Sequence, residues 1–211
     1  MQIRTTMILL GAGIYMALPA LADGFYVDGG VSHITVEGND LISPLNDNPD
    51  FDSLGAHFGY DLSKNFSIEG EAIIGLDNYS SAVQTSTTDL GGDPAQVRQS
   101  DYSVESSLSH IVGAYVRGSA PVTSKLNVFG RLGVAYVKMD RTSNSFVSIS
   151  NSDEAPTTGS LSTSYSDFGA AFGAGTTYDL TDKIYLRGDL TRYDLPDGDV
   201  DNMMIGAGIR F

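Results

Sequence analysis

A period of two residues recurs along this chain from Phe25 to its last residue, and that pattern admits few folds. In Leu126–Lys138, Val128, Gly130, Leu132, Val134 and Tyr136 share one face, and Phe129, Arg131, Gly133 and Ala135 share the other. Such alternation is the mark of a strand with two unlike faces. Ile184–Tyr193 sets Ile184, Leu186 and Leu190 against Tyr185, Arg187, Asp189 and Thr191. Phe66–Gly75 sets Ile68, Ala72 and Ile74 against Glu69 and Glu71, and Phe168–Tyr178 sets Phe168, Phe172 and Tyr178 against Gly169, Gly173 and Gly175. With segments near 24–36, 51–61, 105–120 and 203–211, eight strands are expected, and no segment carries an amphipathic helical period.

The connections alternate in length. Ser63-Lys64-Asn65, Thr123-Ser124-Lys125 and Thr181-Asp182-Lys183 are tight turns of equivalent design, repeated at hairpin intervals. Long polar stretches at 38–50, 78–104 and 141–162, and an acidic one at 194–202, are expected to be loops. Ahead of the strands, Arg4, an apolar run from Met7 to Leu18 and the small-residue site Ala20-Leu21-Ala22 read as a signal peptide over 1–22, leaving a barrel domain over 23–211. No later run is apolar and long enough for a membrane-spanning helix. The absence of Cys excludes disulfides, thiolate metal sites and a thiol nucleophile, and a net charge of −14 argues against nucleic acid as a partner.

Alternation alone fits a soluble lipocalin-like barrel with its apolar face inward, or a transmembrane barrel with that face outward. The polar face decides for the second. It is rich in Gly and Ala, and it carries Asp28, Glu69, Glu71 and Asp189 against Arg117, Arg131, Arg187 and Arg210. Small residues and paired charges suit the narrow lumen of an eight-stranded barrel. Leu132, Val134, Phe172, Leu186 and Leu190 are then expected to face lipid. Ile205, Ala207, Ile209 and Phe211 keep the alternation up to the terminal carboxylate, in the manner of a C-terminal assembly signal. Lys64, Lys125 and Lys183 mark the short-turn end, whereas the acidic residues gather at the long-connection end. Tyr60-Asp61-Leu62 and Tyr178-Asp179-Leu180 are placed to form a tyrosine girdle at the turn side.

In combination these features resemble the eight-stranded outer-membrane barrel family, of the outer membrane protein A transmembrane-domain and opacity-protein type, from Phe25-Tyr26-Val27 to Ile209-Arg210-Phe211. The resemblance implies an all-β, antiparallel, up-and-down transmembrane barrel in the bacterial outer membrane. The barrel-assembly machinery, lipid and lipopolysaccharide are its implied partners, with divalent cations bridging acidic loops to lipopolysaccharide phosphates, and an extracellular ligand of unknown identity. The chain departs from the pattern in lacking Trp and in having no wall-binding domain after Phe211, so wall anchoring is not expected.

Three histidines, His33, His57 and His110, raise the question of an envelope enzyme. Ser32-His33 and Ser109-His110 are strand neighbours whose side chains should point to opposite faces, so no Ser–His pair is expected from either. No catalytic residue, cofactor or metal site is expected. The acidic stretch Asp194, Asp197, Asp199 and Asp201 lacks the ordered spacing of a Ca²⁺ loop and reads as a solvated turn. The expected function is non-enzymatic surface interaction, adhesion or envelope integrity, carried by the outer loops. The alternative is a narrow channel for ions or small solutes.

Overall fold

The structure, a computed structural model, describes residues 24–37, 49–81, 83–92, 95–152, 154–196 and 198–211; the expected signal peptide lies outside them. Ten strands follow one another: β1 (Phe25–Glu37), β2 (Asp50–Asp61), β3 (Phe66–Gly75), β4 (Asn78–Ser80), β5 (Gln84–Gly91), β6 (Gln96–Pro121), β7 (Leu126–Ile149), β8 (Thr157–Asp179), β9 (Ile184–Leu195) and β10 (Gly198–Arg210). Every pairing is antiparallel. Eight strands close a ring in the order β1-β2-β3-β6-β7-β8-β9-β10, with β10 returning to β1, while β4 and β5 add to the side of β6 above the ring. Closure leaves the ring without an edge, and only such a closed sheet satisfies its own backbone in lipid.

The three tight turns repeat one device. The hydroxyls of Ser63, Thr123 and Thr181 accept backbone N–H bonds from the residues two and three positions on, at 3.4 and 3.2 Å, 3.2 and 3.0 Å, and 3.3 and 2.9 Å. A hydroxyl bonding ahead to its own backbone holds the reversal.

The faces divide as the alternation requires. Leu132, Val134, Phe172, Leu186 and Leu190 are all exposed on the outer wall, Leu132 at 65 %, whereas the adjacent Arg131 is 3 % exposed. The soluble-carrier arrangement, apolar inside and polar outside, is the reverse of this wall.

Two expectations need correcting. Much of 78–104, 141–162 and 194–202 is strand, because β6, β7 and β8 run on well past the rest of the ring and β10 begins at Gly198, directly after β9 ends at Leu195. The partners of β8 on β9 begin only at Ala170, although β8 pairs with β7 from Thr157 onward. Both faces of this extension meet water, so no apolar alternation marks it; it is held instead by the ladder and by cross-strand hydroxyl pairs such as Thr142–Ser162 at 3.0 Å. The second correction is a bulge between Leu108 and His110. There the Ser109 hydroxyl lies 3.1 Å from His110 Nδ1, a contact that regular alternation forbids.

Inward aromatic rings need room, and glycine provides it. A Cβ on Gly59 would lie 2.0 Å from the Tyr26 ring, and one on Gly208 would lie 2.3 Å from the Tyr185 ring. The hydroxyls of both rings are hydrogen-bonded inside the barrel, so neither ring can swing aside freely. Gly59→Val is therefore expected to destabilise the barrel by about 1–3 kcal/mol, read as a lower urea midpoint for loss of heat-modifiable gel mobility in the refolded protein.

Candidate functional site

The lumen is filled in two layers. Nearer the tight turns lies an ionic layer built on inward positions of β1, β2, β3, β6, β7 and β9. Arg187 grips Glu69 with two bonds, Nη1 to Oε2 at 2.8 Å and Nη2 to Oε1 at 2.9 Å. It also reaches Asp189 at 2.7 Å and Asp28 at 3.2 Å. Arg131 lies 2.7 Å from Glu71, 3.1 Å from Glu69 and 3.1 Å from Asp189, and it also donates to the Thr191 hydroxyl. Arg117 reaches Glu69 at 3.5 Å, with its guanidinium 3.9 Å from the centre of the Phe129 ring. Tyrosines complete the carboxylates' acceptor sites: Tyr26 donates to Glu69, Tyr185 to Asp28, and both Tyr115 and Tyr193 to Glu71 Oε1.

Seven of the eight residues proposed from sequence for this network are thus brought together. Arg210 is not. It sits at the turn-side rim, 2.6 Å from Asp179 and over the Tyr185 ring, and is partly exposed. Its place in the charge balance falls to His57, whose Nδ1 lies 2.6 Å from Asp28 and whose Nε2 lies 3.0 Å from Glu71, with all three side chains fully buried. Each imidazole nitrogen faces a carboxylate oxygen, so the ring satisfies both only as an imidazolium. Four acids then face three arginines and one histidine cation. Sequence reasoning named His57 only as one histidine among three; its position opposite Asp28 on β1 and Glu71 on β3 follows only from register.

Above this layer, toward the long connections, the lumen is apolar. Ile34, Phe51, Ile73, Ile111, Val137, Ala171, Tyr193 and Val200 each show 2 % exposure or less and form one packed cluster, to which all eight ring strands contribute. The expected lumen of small residues and charges therefore describes only half of it. These side chains are inward-facing and apolar, and a period-two pattern cannot distinguish them from an outward row.

The other histidines lie on the outer wall. His33 lies 3.3 Å from Asp52, and His110 stacks toward Tyr136, which stacks in turn on Phe168. In the acidic stretch, Arg192 supplies the positive charge: it lies 2.5 Å from Asp201, 3.0 Å from Glu37 and 3.5 Å from Asp199. Asp197 lies outside the described residues. Among the described residues no group of three or more His, Cys, Asp or Glu is placed to hold a metal ion. Tyr60 and Tyr178 point outward at the turn side, where Tyr60 packs on Phe25 at 4.7 Å.

Residues 5–211 match the family described as outer membrane protein beta-barrel domain. The chain belongs to that family. Its place is the bacterial outer membrane; barrels of this kind keep short turns in the periplasm and long connections outside. Among solved structures it is similar to Ail, the attachment invasion locus protein of Yersinia pestis, at 16 % identity and TM-score 0.51, covering 90 % of this chain and 100 % of that one. It is also similar to Neisserial surface protein A (15 %, TM-score 0.48, 89 % and 97 % covered) and to OprG from Pseudomonas aeruginosa (12 %, TM-score 0.49, 90 % and 96 %). At such identities the likeness concerns the fold. No curated protein matches the sequence.

Removing one partner of the ionic layer leaves buried charge uncompensated. Arg187→Met strips Asp28, Glu69 and Asp189 of a common cation and is expected to cost about 3–5 kcal/mol, measured by urea unfolding in lipid vesicles. His57→Phe is expected to act in the same direction, whereas Arg210→Met at the open rim should change stability by less than about 1 kcal/mol.

Proposed function

We propose that this protein is a sealed, non-enzymatic outer-membrane platform whose work is done outside the membrane, in surface interaction or adhesion, by the extension of β5 to β8 and the loops around it. The observation that carries this reading is the apolar layer spanned by all eight ring strands. Water and ions lose their hydration partners there, and the ionic layer beneath has its charges already paired. A barrel so filled has no chemistry to offer in its lumen. Support for a non-enzymatic role comes from His57, whose two nitrogens are both engaged by carboxylates.

The partners follow from the surfaces. Ile205, Ala207, Ile209 and Phe211 close the sheet against β1, with the Phe211 N–H bonded to Phe25 O at 2.9 Å, and are proposed as the signal read by the barrel-assembly machinery. Asp50, Asp52, Glu37, Asp199 and Asp201 form an acidic outer rim, which beside lipopolysaccharide phosphates calls for divalent cations as bridges.

Two measurements test the platform. In planar bilayers the refolded protein should show no reproducible conductance; steady conductance altered by Arg131→Ala would establish the channel instead. Trimming the extension, by replacing 78–105 and 142–162 with short Asn-Gly turns, should leave heat-modifiable mobility intact and abolish attachment of expressing cells to the surfaces they colonise. Unchanged attachment would place the function elsewhere.

A further inference from the structure

The extension has a margin that the ring lacks. From Thr157 to Gly169, β8 lies beside β7 in unbroken register, and its other side has no ladder partner among the described residues, because β9 joins it only at Ala170. Which backbone groups are open follows from parity. In an antiparallel sheet the N–H and C=O of one residue point to the same side, and those of the next residue point to the other. The Asp179 N–H is bonded to Lys125 O at 2.8 Å, on the β7 side of β8, whereas the Leu180 N–H is bonded to Ile184 O at 2.9 Å, on the β9 side. Odd-numbered residues of β8 therefore face β7, and Gly159 O does accept from the Ser145 hydroxyl of β7 at 3.5 Å. Thr158, Ser160, Ser162, Ser164, Ser166 and Phe168 turn their backbone groups to the open side.

Natural sheets blunt an open edge with lysine, proline or a bulge. Thr157–Gly169 holds no lysine, no proline and no register shift, and Asp167 is its sole charge. The two faces beside the edge are unlike. Ser164 lies on the outer face and donates to Asp140 at 2.5 Å. Leu161 and Tyr165 lie on the inner face, where they line a recess of about 500 Å³, and Leu161 is 68 % exposed. At the foot of the edge β9 ends with Asp194, opposite Ala170, and Leu195. A strand added here continues the place of β9 and can bury an apolar side chain against Leu161 and Tyr165. It also runs past Asp140, Glu154, Asp167 and Asp194 against Lys138 and Arg141, and Arg141 is already engaged by Tyr102. The edge is therefore negative in its surroundings.

We infer that the open edge of β8 takes up an extended, basic segment of a foreign polypeptide as an added strand. Main-chain bonds to the open groups from Thr158 to Phe168 supply the affinity. Alternate side chains of the segment sort by face, apolar toward Leu161 and cationic toward Asp140 and Asp194. A second copy of this chain is the poorer occupant, because it brings the same acids to the contact. This assignment names a partner class for the surface-interaction reading and rests on it.

The test is fluorescence anisotropy on the refolded full chain in nanodiscs of zwitterionic lipid, with a labelled decapeptide of alternating Lys and Val as the probe. Its Glu-Val counterpart should bind far less. N-methylation at the lysines or at the valines keeps every side chain and removes the donors of one peptide edge at a time, so one of the two forms should lose binding. Ser160→Pro together with Ser166→Pro removes two open N–H groups and leaves the β7 ladder alone, as proline on an edge strand can. The pair should weaken binding about tenfold or more, with heat-modifiable mobility unchanged, whereas Ser160→Ala with Ser166→Ala should not. Equal binding of the acidic peptide, or binding indifferent to the proline pair and to both N-methylated forms, would overturn the assignment. A dimer of the protein that the proline pair dissolves would give the edge to a second copy instead. Cells carrying the proline pair that attach normally, while trimmed cells do not, would remove the strand addition and leave the platform standing.

Discussion

Everything in this barrel depends on two guanidinium groups held out of water. Arg131 and Arg187 stand inside a cylinder whose outer surface must be apolar, so their charge has no solvent to turn to. The carboxylates of Asp28, Glu69, Glu71 and Asp189 come from β1, β3 and β9, and Arg131 comes from β7. Each strand therefore delivers its charge only if every neighbour is in register. A slip of one residue would turn a buried acid toward lipid and an isoleucine toward the lumen. The network sets the register of the ring at least as much as it contributes stability, which for buried ion pairs is small against an apolar alternative.

The apolar layer follows from the same geometry. The ionic layer occupies the turn-side half of the lumen, and Tyr115 and Tyr193 join the apolar cluster beyond it while still donating to Glu71. These two rings are the seam. Each lends its hydroxyl to the charge below and its carbon face to Ile111, Val137 and their neighbours above. A water file through the barrel would have to part both layers, which is why the filling argues for a platform and against a pore.

Register explains what the sequence could and could not disclose. The strands facing lipid on one side were legible, because Leu132 beside Arg131 and Leu186 beside Arg187 leave no doubt which face is which. The central acids and arginines were legible for the same reason. Arg210 was misplaced because a face is not a depth: it lies on the inward row, but level with the rim. His57 was missed because its meaning lies in two neighbours, 29 and 14 residues away. The outer reaches of β6 to β8 were read as loops because serine and threonine on both faces of a wet sheet carry no hydrophobic period. The Ser109 bulge has no sequence mark either, yet it shifts the inward row of β6 from odd to even positions, and without it Tyr102 and Arg98 would face outward.

The extension poses a problem that the ring does not. From Thr157 to Gly169 the side of β8 away from β7 has no ladder partner among the described residues, and such an edge invites pairing with another copy. Its uncharged run of serine and threonine does nothing to discourage this. The protection lies around it. Glu154 and Pro156 stand at one end and Asp167 at the other, and the acids of the outer face line the approach from neighbouring barrels. Like-charged surfaces repel, which disfavours edge-to-edge approach of two copies. The excess of acids is thus tied to the shape of the wall. A sheet raised above its ring has an open edge, and charge at the ends of that edge and on the outer face stands against edge-to-edge pairing.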